Sequence, residues 1–288
     1  MAIQNLDKIF RPESIAVVGA SGRSESVGHT VLKNLLAADF NGPIYPINPS
    51  QDEVLGRETY KTVGQAPTAA DLAVVCTPAA AVPDVIRQCG ENGVDGVVVL
   101  SAGFREAGDE GKQLEAALLA ELRRWSDMRL IGPNCLGVLS PRSRVNASFA
   151  DAMPNSGRVA FISQSGALCT SVLDWSLSAG IGFSHVVSIG NALDVNFGDL
   201  IDYFSEDPTT AAIVLYVESI NEARNFMSAA RAFTHSMPIV VYKAGRFDAS
   251  AQAAARGVPT AETASASSSR LPVLRRSLSL SSRRKRFA

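Results

Sequence analysis

The sequence predicts an α/β protein with two successive domains, each built around a parallel sheet. Apolar runs of strand length alternate with longer segments of helix length. The alternation occurs twice, once before residue 131 and again from residue 158, and glycine- or serine-rich turns follow several of the strands. Such alternation favours parallel strand pairing with helices on both faces of the sheet, which is the doubly wound arrangement.

The first domain is predicted over residues 1–131. It contains five short strands, and the second of them stops at Asn48-Pro49. The predicted strands are 15–19, 43–47, 71–76, 94–100 and 129–131, and the predicted helices are 29–36, 81–89 and 109–124.

The second domain is predicted over residues 158–255, after a linker over 132–157. Its predicted strands are 158–162, 183–188, 211–217 and 238–244, and helices follow the first three. A further helix begins near Asp248, but no fifth strand–helix unit follows, so this domain is expected to be incomplete. Residues 256–288 hold eight basic residues and one acid, with many serines. This composition predicts a disordered tail, and a patch for nucleic acid or an anionic surface is the alternative.

Charge, hydropathy and cysteine spacing argue against several classes of function. The formal net charge is −1, which gives the chain no overall attraction for nucleic acid or acidic membranes. No apolar run approaches the roughly 18 residues of a membrane span, and the N-terminus lacks a signal-peptide core. The four cysteines form no CxxC pair, so neither a metal site nor a disulfide framework is predicted. We therefore expect a cytoplasmic protein.

The loop after the first strand is the first candidate anion site. It comprises Gly19, Ala20, Ser21 and Gly22, and it leads into a helix, where free N–H groups and the helix dipole favour negative charge. It does not fit GxGxxG, and the second strand ends at Asn48 where an NAD site needs an acid. The sequence thus favours a nucleotide-bearing ligand other than NAD, with NAD and a ligand-free tight turn as alternatives.

A second candidate anion site is Ser163-Gln164-Ser165-Gly166-Ala167, which follows a strand and opens a helix. Its hydroxyls and free N–H groups predict a phosphate cradle, with an ordinary N-cap as the alternative. It does not fit the GxSxG pattern of a hydrolase serine. Three further candidates follow later strands. Glu218 lies at a strand end, where a solvated helix cap is the alternative. Cys135 lies in a Gly-Pro-Asn-Cys turn, where a small apolar filler is the alternative. The turn Ser188-Ile189-Gly190-Asn191 is followed by Asp194 and Asp199.

Taken as an ordered set, nine motifs resemble the NDP-forming acyl-CoA synthetases and, more distantly, the α subunit of succinyl-CoA synthetase. The resemblance covers about residues 5–255. The motifs are Val-Val-Gly-Ala-Ser at 17–21, Val-Gly at 27–28, Tyr-Pro-Ile-Asn-Pro at 45–49, Ser-Ala-Gly-Phe at 101–104, Gly-Pro-Asn-Cys at 132–135, Ser-Gln-Ser-Gly-Ala at 163–167, Ser-Ile-Gly-Asn at 188–191, Tyr-Val-Glu at 216–218 and Lys-Ala-Gly-Arg at 243–246.

The resemblance implies a Rossmann-like CoA-binding domain followed by an incomplete flavodoxin-like, succinyl-CoA synthetase-like domain. The family converts acyl-CoA, phosphate and ADP into an acid, CoA and ATP, or the reverse, through a phosphohistidine. Ser163, Ser165 and Gly166 would hold the phosphoryl group, and Glu218 would orient the histidine. The implied contacts to CoA or acyl-CoA are Gly19, Ala20, Ser21, Asn48, Pro49, Thr77, Pro78, Ser101, Ala102, Gly103, Phe104, Asn134 and Cys135.

The chain departs from the family in three ways. No histidine follows His235, although the family's catalytic histidine comes after the Lys-Ala-Gly-Arg motif. The ATP-grasp region, through which ATP, ADP and Mg²⁺ would bind, is missing, so a partner subunit is expected to supply it. Ser50 stands where the family often has a lysine that meets a CoA phosphate. The tail resembles out-of-frame translation or an alternative end.

These features predict a CoA-binding fragment of an ADP-forming acyl-CoA synthetase that is inactive alone. Two alternatives stay open. One is a CoA-sensing regulatory module of the kind fused to protein acetyltransferases, and the other is a nicotinamide-dependent oxidoreductase domain, which Asn48 disfavours.

Overall fold

The computed structural model describes residues 3–220, 222–234 and 237–244. His235, the helix predicted from Asp248 and the tail over 256–288 lie outside the described residues. The first half of the chain forms α1 (Asp7–Phe10), β1 (Ile15–Val18), α2 (Val27–Ala37), β2 (Ile44–Ile47), β3 (Glu53–Val54), β4 (Arg57–Glu58), β5 (Leu72–Val75), α3 (Val82–Glu91), β6 (Gly96–Val99), α4 (Asp109–Leu122) and β7 (Arg129–Ile131).

The second half forms β8 (Gly137–Ser140), β9 (Val145–Ser148), β10 (Asn155–Ser163), α5 (Gly166–Ala179), β11 (Gly182–Ser188), α6 (Phe197–Glu206), β12 (Ala212–Val217), α7 (Ala223–Thr234) and β13 (Ile239–Lys243).

The first sheet has the strand order β2-β1-β5-β6-β7, and all its pairs are parallel. Four-residue strands such as Ile15–Val18 and Leu72–Val75 are buried at every position, as expected for a parallel sheet with helices on both faces. The predicted α/β fold with a Rossmann-like first domain is confirmed.

The second sheet has the order β13-β12-β10-β11-β8-β9. Its four predicted strands are present and pair in parallel. The sequence analysis assigned no strands to residues 132–157, but β8 and β9 form a hairpin there, and β8 adds antiparallel to β11. The second sheet is therefore mixed, because a short antiparallel hairpin extends one edge of its parallel part.

A continuous hydrophobic core joins the two sheets. It includes residues of α1, the first sheet, the β8–β9 hairpin and helices α6 and α7. The ring of Phe10 in α1 is fully buried and lies 5.1 Å from the ring of Tyr203 and 5.2 Å from that of Phe204. The start of the chain is thus part of the second domain's core.

Polar contacts reinforce this junction. The guanidinium of Arg11 lies 2.8 Å from the buried carboxylate of Asp207, and the hydroxyl of Tyr203 donates to Asp7 at 2.6 Å. His185 is buried beside them, and burial lowers its pKa to about 4 although the charge of Asp207 opposes this shift. The imidazole is therefore neutral at pH 7.

Within the described ranges, every helix is too short or too polar to span a lipid bilayer.

Each sheet has one position at which the direction of strand addition reverses. The chain adds β2 on one side of β1 and then crosses to add β5 on the other side. It likewise adds β11 on one side of β10 and β12 on the other. Ligands of open α/β sheets bind at such switch points, outside the carboxyl ends of the strands.

Candidate functional site

The first switch point is lined by the loop after β1. The N–H of Gly19 donates to the carbonyl of Ile47 at 2.9 Å, and Ala20 and Ser21 are buried. Gly19 has φ +91°, and a Cβ there would lie 3.0 Å from the carbonyl carbon of Cys76. The loop after β1 therefore packs directly against the loop after β5, which only glycine permits at this position.

The Asn48-Pro49 turn is hydrogen-bonded to the same loop. The amide of Asn48 donates to the carbonyl of Ala20 at 2.6 Å, while its Oδ1 accepts from the N–H groups of Ser50 and Gln51 at 2.7 and 3.0 Å. Gln51 Oε1 in turn accepts from the N–H of Gly22 at 2.9 Å. Pro49 itself is exposed. The side chain of Asn48 thus holds the loop shape.

Thr77 and Pro78 follow β5 on the other side of the switch point. Pro78 is exposed, and the carbonyl of Thr77 accepts from the hydroxyl of Ser101 at 2.5 Å. Thr77 Oγ1 is buried and has no hydrogen-bond partner among the described residues. A buried hydroxyl normally has a partner, so this atom is available to a ligand group.

The 101–104 loop and the 132–135 turn meet beside Thr77. The N–H of Asn134 donates to the carbonyl of Ser101 at 2.9 Å, and Ala102 is exposed. Phe104 is fully buried in the first-domain core.

The thiol of Cys135 is also buried. It donates to the carbonyl of Val99 at 3.3 Å, and burial raises its pKa. The structure thus brings Ser101, Ala102, Gly103 and Asn134 to the loop edge. It places the Phe104 ring and the Cys135 thiol in the core.

The second switch point carries the Ser163–Gly166 loop between β10 and α5. Ser163 is fully buried, and its hydroxyl donates to the carbonyl of Ser165 at 2.9 Å and accepts from the N–H of Ser165 at 3.0 Å. Ser165 caps α5 by accepting from the N–H of Leu168 at 3.3 Å. Ser163 therefore shapes the loop, whereas Ser165 and Gly166 lie at the helix N-terminus.

Glu218 lies next to this loop. Its N–H donates to Gln164 Oε1 at 2.6 Å, and the ammonium of Lys243 donates to its carbonyl at 2.6 Å. Its side chain is half-buried, and burial raises the pKa of its carboxyl although the charge of Lys243 opposes this shift. The structure therefore brings Glu218 and the predicted phosphate cradle together. The side chain of Gln164 joins them, and the sequence analysis gave this residue no role.

A small cleft of about 50 Å³ borders Gln164 and Ser219 and is also lined by residues at the starts of α6 and α7. A larger cleft of about 350 Å³ lies between Trp125 and Asp194, and none of the predicted site residues lines it.

Two side chains that organise the first site were missed. Gln51 joins the Asn48 turn to Gly22, and Glu106 Oε1 accepts from the N–H groups of Gly103 and Phe104 at 2.7 and 3.0 Å. Burial raises the pKa of Glu106, but hydrogen bonds from Asn191 and from nearby backbone amides lower it overall. Both residues lie two or three positions from a predicted site residue, which was the available signal.

Two family models match successive parts of the chain. Residues 13–141 match the family model of a CoA binding domain, and residues 156–271 match that of a succinyl-CoA ligase like flavodoxin domain. The second match extends into the segment that the sequence analysis assigned to a tail.

Two relatives are ligases. The acetate–CoA ligase [ADP-forming] I of Archaeoglobus fulgidus is 41% identical over 86% of this chain and 36% of its own length. The α subunit of acetate–CoA ligase [ADP-forming] I of Pyrococcus furiosus is 40% identical over 87% of this chain and 55% of its own length. The chain is similar to ADP-forming acyl-CoA synthetases. It spans roughly a third to a half of the length of these two relatives.

A solved structure has a similar architecture. The dinucleotide forming acetyl-coenzyme A synthetase 1 of Ca. Korarchaeum cryptofilum, in complex with phosphate and ADP, superposes with a TM-score of 0.83 at 40% identity. The superposition covers 91% of this chain and 57% of that one. The predicted resemblance to the acyl-CoA synthetase family is thereby confirmed, as is the succession of a CoA-binding and a flavodoxin-like domain.

Proposed function

We propose that this chain is the CoA-binding part of an ADP-forming acyl-CoA synthetase, which converts acyl-CoA, ADP and phosphate into an acid, CoA and ATP. The observation that carries the proposal is the convergence of loops 19–22, 48–49, 77–78, 101–103 and residue 134 at the first switch point. This convergence lies within the segment that matches the CoA binding domain.

The residues present fit a phosphate-bearing nucleotide. The first turn of α2 lies against the loop that contains Gly19, because a Cβ on Gly28 would meet the carbonyl of Gly19. The positive end of a helix dipole favours phosphate groups at such a position. The buried hydroxyl of Thr77 has no partner among the described residues, as expected of a ligand-binding group. When bound, CoA supplies the thiol that takes or releases the acyl group.

The second switch point would hold the phosphoryl group. The N-terminus of α5, which begins at Gly166 with Ser165 as its cap, presents a positive dipole end. Glu218 lies beside it, and its raised pKa suits a carboxyl group that accepts a hydrogen bond from an imidazole and shares its proton. Gln164 would set the distance between the two, since its side chain binds the backbone at Glu218 and Ser219.

We further propose that this chain needs a partner subunit. ATP, ADP and Mg²⁺ would bind to an ATP-grasp partner, and the histidine that carries the phosphoryl group would also come from outside the described residues. The chain alone is therefore expected to bind CoA without catalysing the complete reaction.

Calorimetry of the whole chain with CoA, acetyl-CoA and NADH tests the binding proposal. We expect saturable binding of CoA and acetyl-CoA and none of NADH. Gly19→Val should abolish CoA binding, because its side chain would collide with the backbone of Cys76. NADH binding without CoA binding would overturn the assignment.

Incubation with γ-labelled ATP tests the need for a partner. We expect no label on the protein and no CoA-dependent release of ADP, with or without acetate. Acid-labile phosphate on His29 or His185 would show that the phosphoryl carrier lies in the described residues after all.

A further inference from the structure

The loop after β11 forms a backbone ladder with the last strand of the first sheet. The N–H groups of Asn191, Leu193 and Val195 donate to the carbonyls of Pro133, Gly132 and Leu130 at 2.9, 3.0 and 3.1 Å. The second domain therefore reaches the turn before Asn134 through three backbone hydrogen bonds, donated by alternate residues of the loop.

Asn191 makes further contacts through its side chain, which is 6% exposed. Its amide nitrogen donates to Glu106 and to Glu115, each at 2.8 Å. Its Oδ1 lies 3.5 Å from the amide nitrogen of Asn134. The guanidinium of Arg105 donates to the carbonyl of Asn191 and lies 3.5 Å from Glu115.

These contacts continue to the 101–104 loop. Glu106 holds Asn191 with one carboxylate oxygen and the N–H groups of Gly103 and Phe104 with the other. The charged groups around the Asn191 amide are Arg105, Glu106 and Glu115. An uninterrupted set of hydrogen bonds therefore runs from the second domain to a loop of the first switch point.

We propose that Asn191 is the positioning residue that fixes the 101–104 loop, through Glu106, in its CoA-binding shape. This inference rests on the proposed function. A primary amide suits the position because its NH₂ group supplies one donor to each of two carboxylates. A carboxylate at 191 would lack both donors and would place three negative groups together.

The test compares Asn191→Asp with a matched control, Asn34→Asp. Asn34 is also a buried asparagine that donates two hydrogen bonds across the domain junction, to the carbonyls of Ser148 and Ala150 at 2.9 and 2.7 Å. It contacts neither Glu106 nor Glu115. The control therefore carries the same chemical change without the predicted effect on the loop.

At pH 7.5 we expect Asn191→Asp to weaken CoA binding, measured by calorimetry, by about tenfold. Asn34→Asp should bind CoA like the unchanged chain. Hydrogen exchange at the amides of Gly103 and Phe104 should be faster in Asn191→Asp only.

A double variant keeps the test decisive if Asn191→Asp folds poorly. In Asn191→Asp/Glu106→Gln the amide and the carboxylate change places. The glutamine NH₂ can donate to the new carboxylate and its oxygen can still accept from Gly103 and Phe104, while the hydrogen bond to Glu115 stays lost. We expect CoA to bind at least about threefold more tightly than to Asn191→Asp.

The outcomes separate the two proposals. The positioning role would be overturned if Asn191→Asp left both CoA affinity and hydrogen exchange at Gly103 and Phe104 unchanged. It would also be overturned if the double variant bound CoA no better than a weakened Asn191→Asp. If the unchanged chain binds no CoA, the proposed function fails, while the exchange measurement still decides whether Asn191 fixes the loop.

Discussion

Strands at the two switch points differ in how fully the described chain covers them. In the first sheet, β1 and β5 are buried at all four positions of each strand. In the second sheet, β12 is fully buried only at alternate positions, and four of the five residues of β13 are exposed. The loops at the first switch point therefore follow strands that are packed on both faces. At the second switch point β12 pairs with β13, a strand that is mostly exposed.

Gly28 in the first turn of α2 and Gly166 at the start of α5 show the same contrast. A Cβ on Gly28 would lie 2.8 Å from the carbonyl carbon of Gly19 and closer still to its oxygen. A Cβ on Gly166 would meet its nearest neighbours, in Leu136, at 3.7 Å, which is ordinary contact. Helix and loop are thus in tight backbone contact at the first site, and the second site has room for adjustment.

Gly28→Ala is the strongest test of this contrast. Because the methyl group would collide with backbone, we expect a loss of about 3 kcal/mol in the free energy of unfolding, at the upper end for overpacking. The measurement is urea unfolding followed by fluorescence, with Trp125 reporting on the first domain and Trp175 on the second.

Gly166→Ala is the matched control, and it should lie within about 1 kcal/mol of the unchanged chain, since alanine favours a helix. Equal losses in the two variants would remove the distinction between the sites.

Acid should destabilise the second domain through His185. Burial lowers its pKa to about 4, so between about pH 6.5 and pH 4 the unfolded chain binds a proton that the folded chain does not. This contribution to stability is complete above pH 6.5 and is lost as the pH falls towards 4, by up to about 3 kcal/mol at 1.36 kcal/mol per unit.

Urea unfolding at pH 7, 6, 5 and 4.5 measures that loss. His185→Phe keeps a ring against Phe10 and Phe204 without the titration, so its stability should depend less on pH. Parallel pH curves for the two proteins would contradict the assignment.

Valine truncation compares the two sheets directly. Val98 is fully buried in β6, and Val240 in β13 is 57% exposed. We expect Val98→Ala to cost about 2 kcal/mol and Val240→Ala less than about 0.5 kcal/mol in urea unfolding. A loss above 1 kcal/mol at Val240 would mean that β13 is covered in solution.

The elements of the parallel sheets were predictable because buried parallel strands form continuous apolar runs. Leu72–Val75 and Gly96–Val99 are examples, and each lies within its predicted range. The β8–β9 hairpin was missed because its strands, Gly137–Ser140 and Val145–Ser148, are four residues long and mix small, polar and apolar residues. Their burial comes from β11 and α2, and no local pattern shows those partners.

The positions of the candidate-site loops could be predicted from the sequence, but the contacts of their individual side chains could not. Glycine-rich turns at strand ends are visible in sequence, so the segments around Gly19 and Ser165 were found. Which side chain faces a ligand depends on long-range packing. The buried positions of Phe104 and Cys135, and the roles of Gln51 and Glu106, follow only from the folded structure.

The position of α1 also affects how the protein folds while the ribosome is still making it. Arg11 and its partner Asp207 are 196 residues apart, and Phe10 packs on residues of the same late segment. At about 5–20 residues per second, a ribosome needs roughly 10–40 s to make the intervening chain. During that interval the aromatic side of α1 has no docking surface, so nascent chains should be bound there by chaperones until α6 emerges.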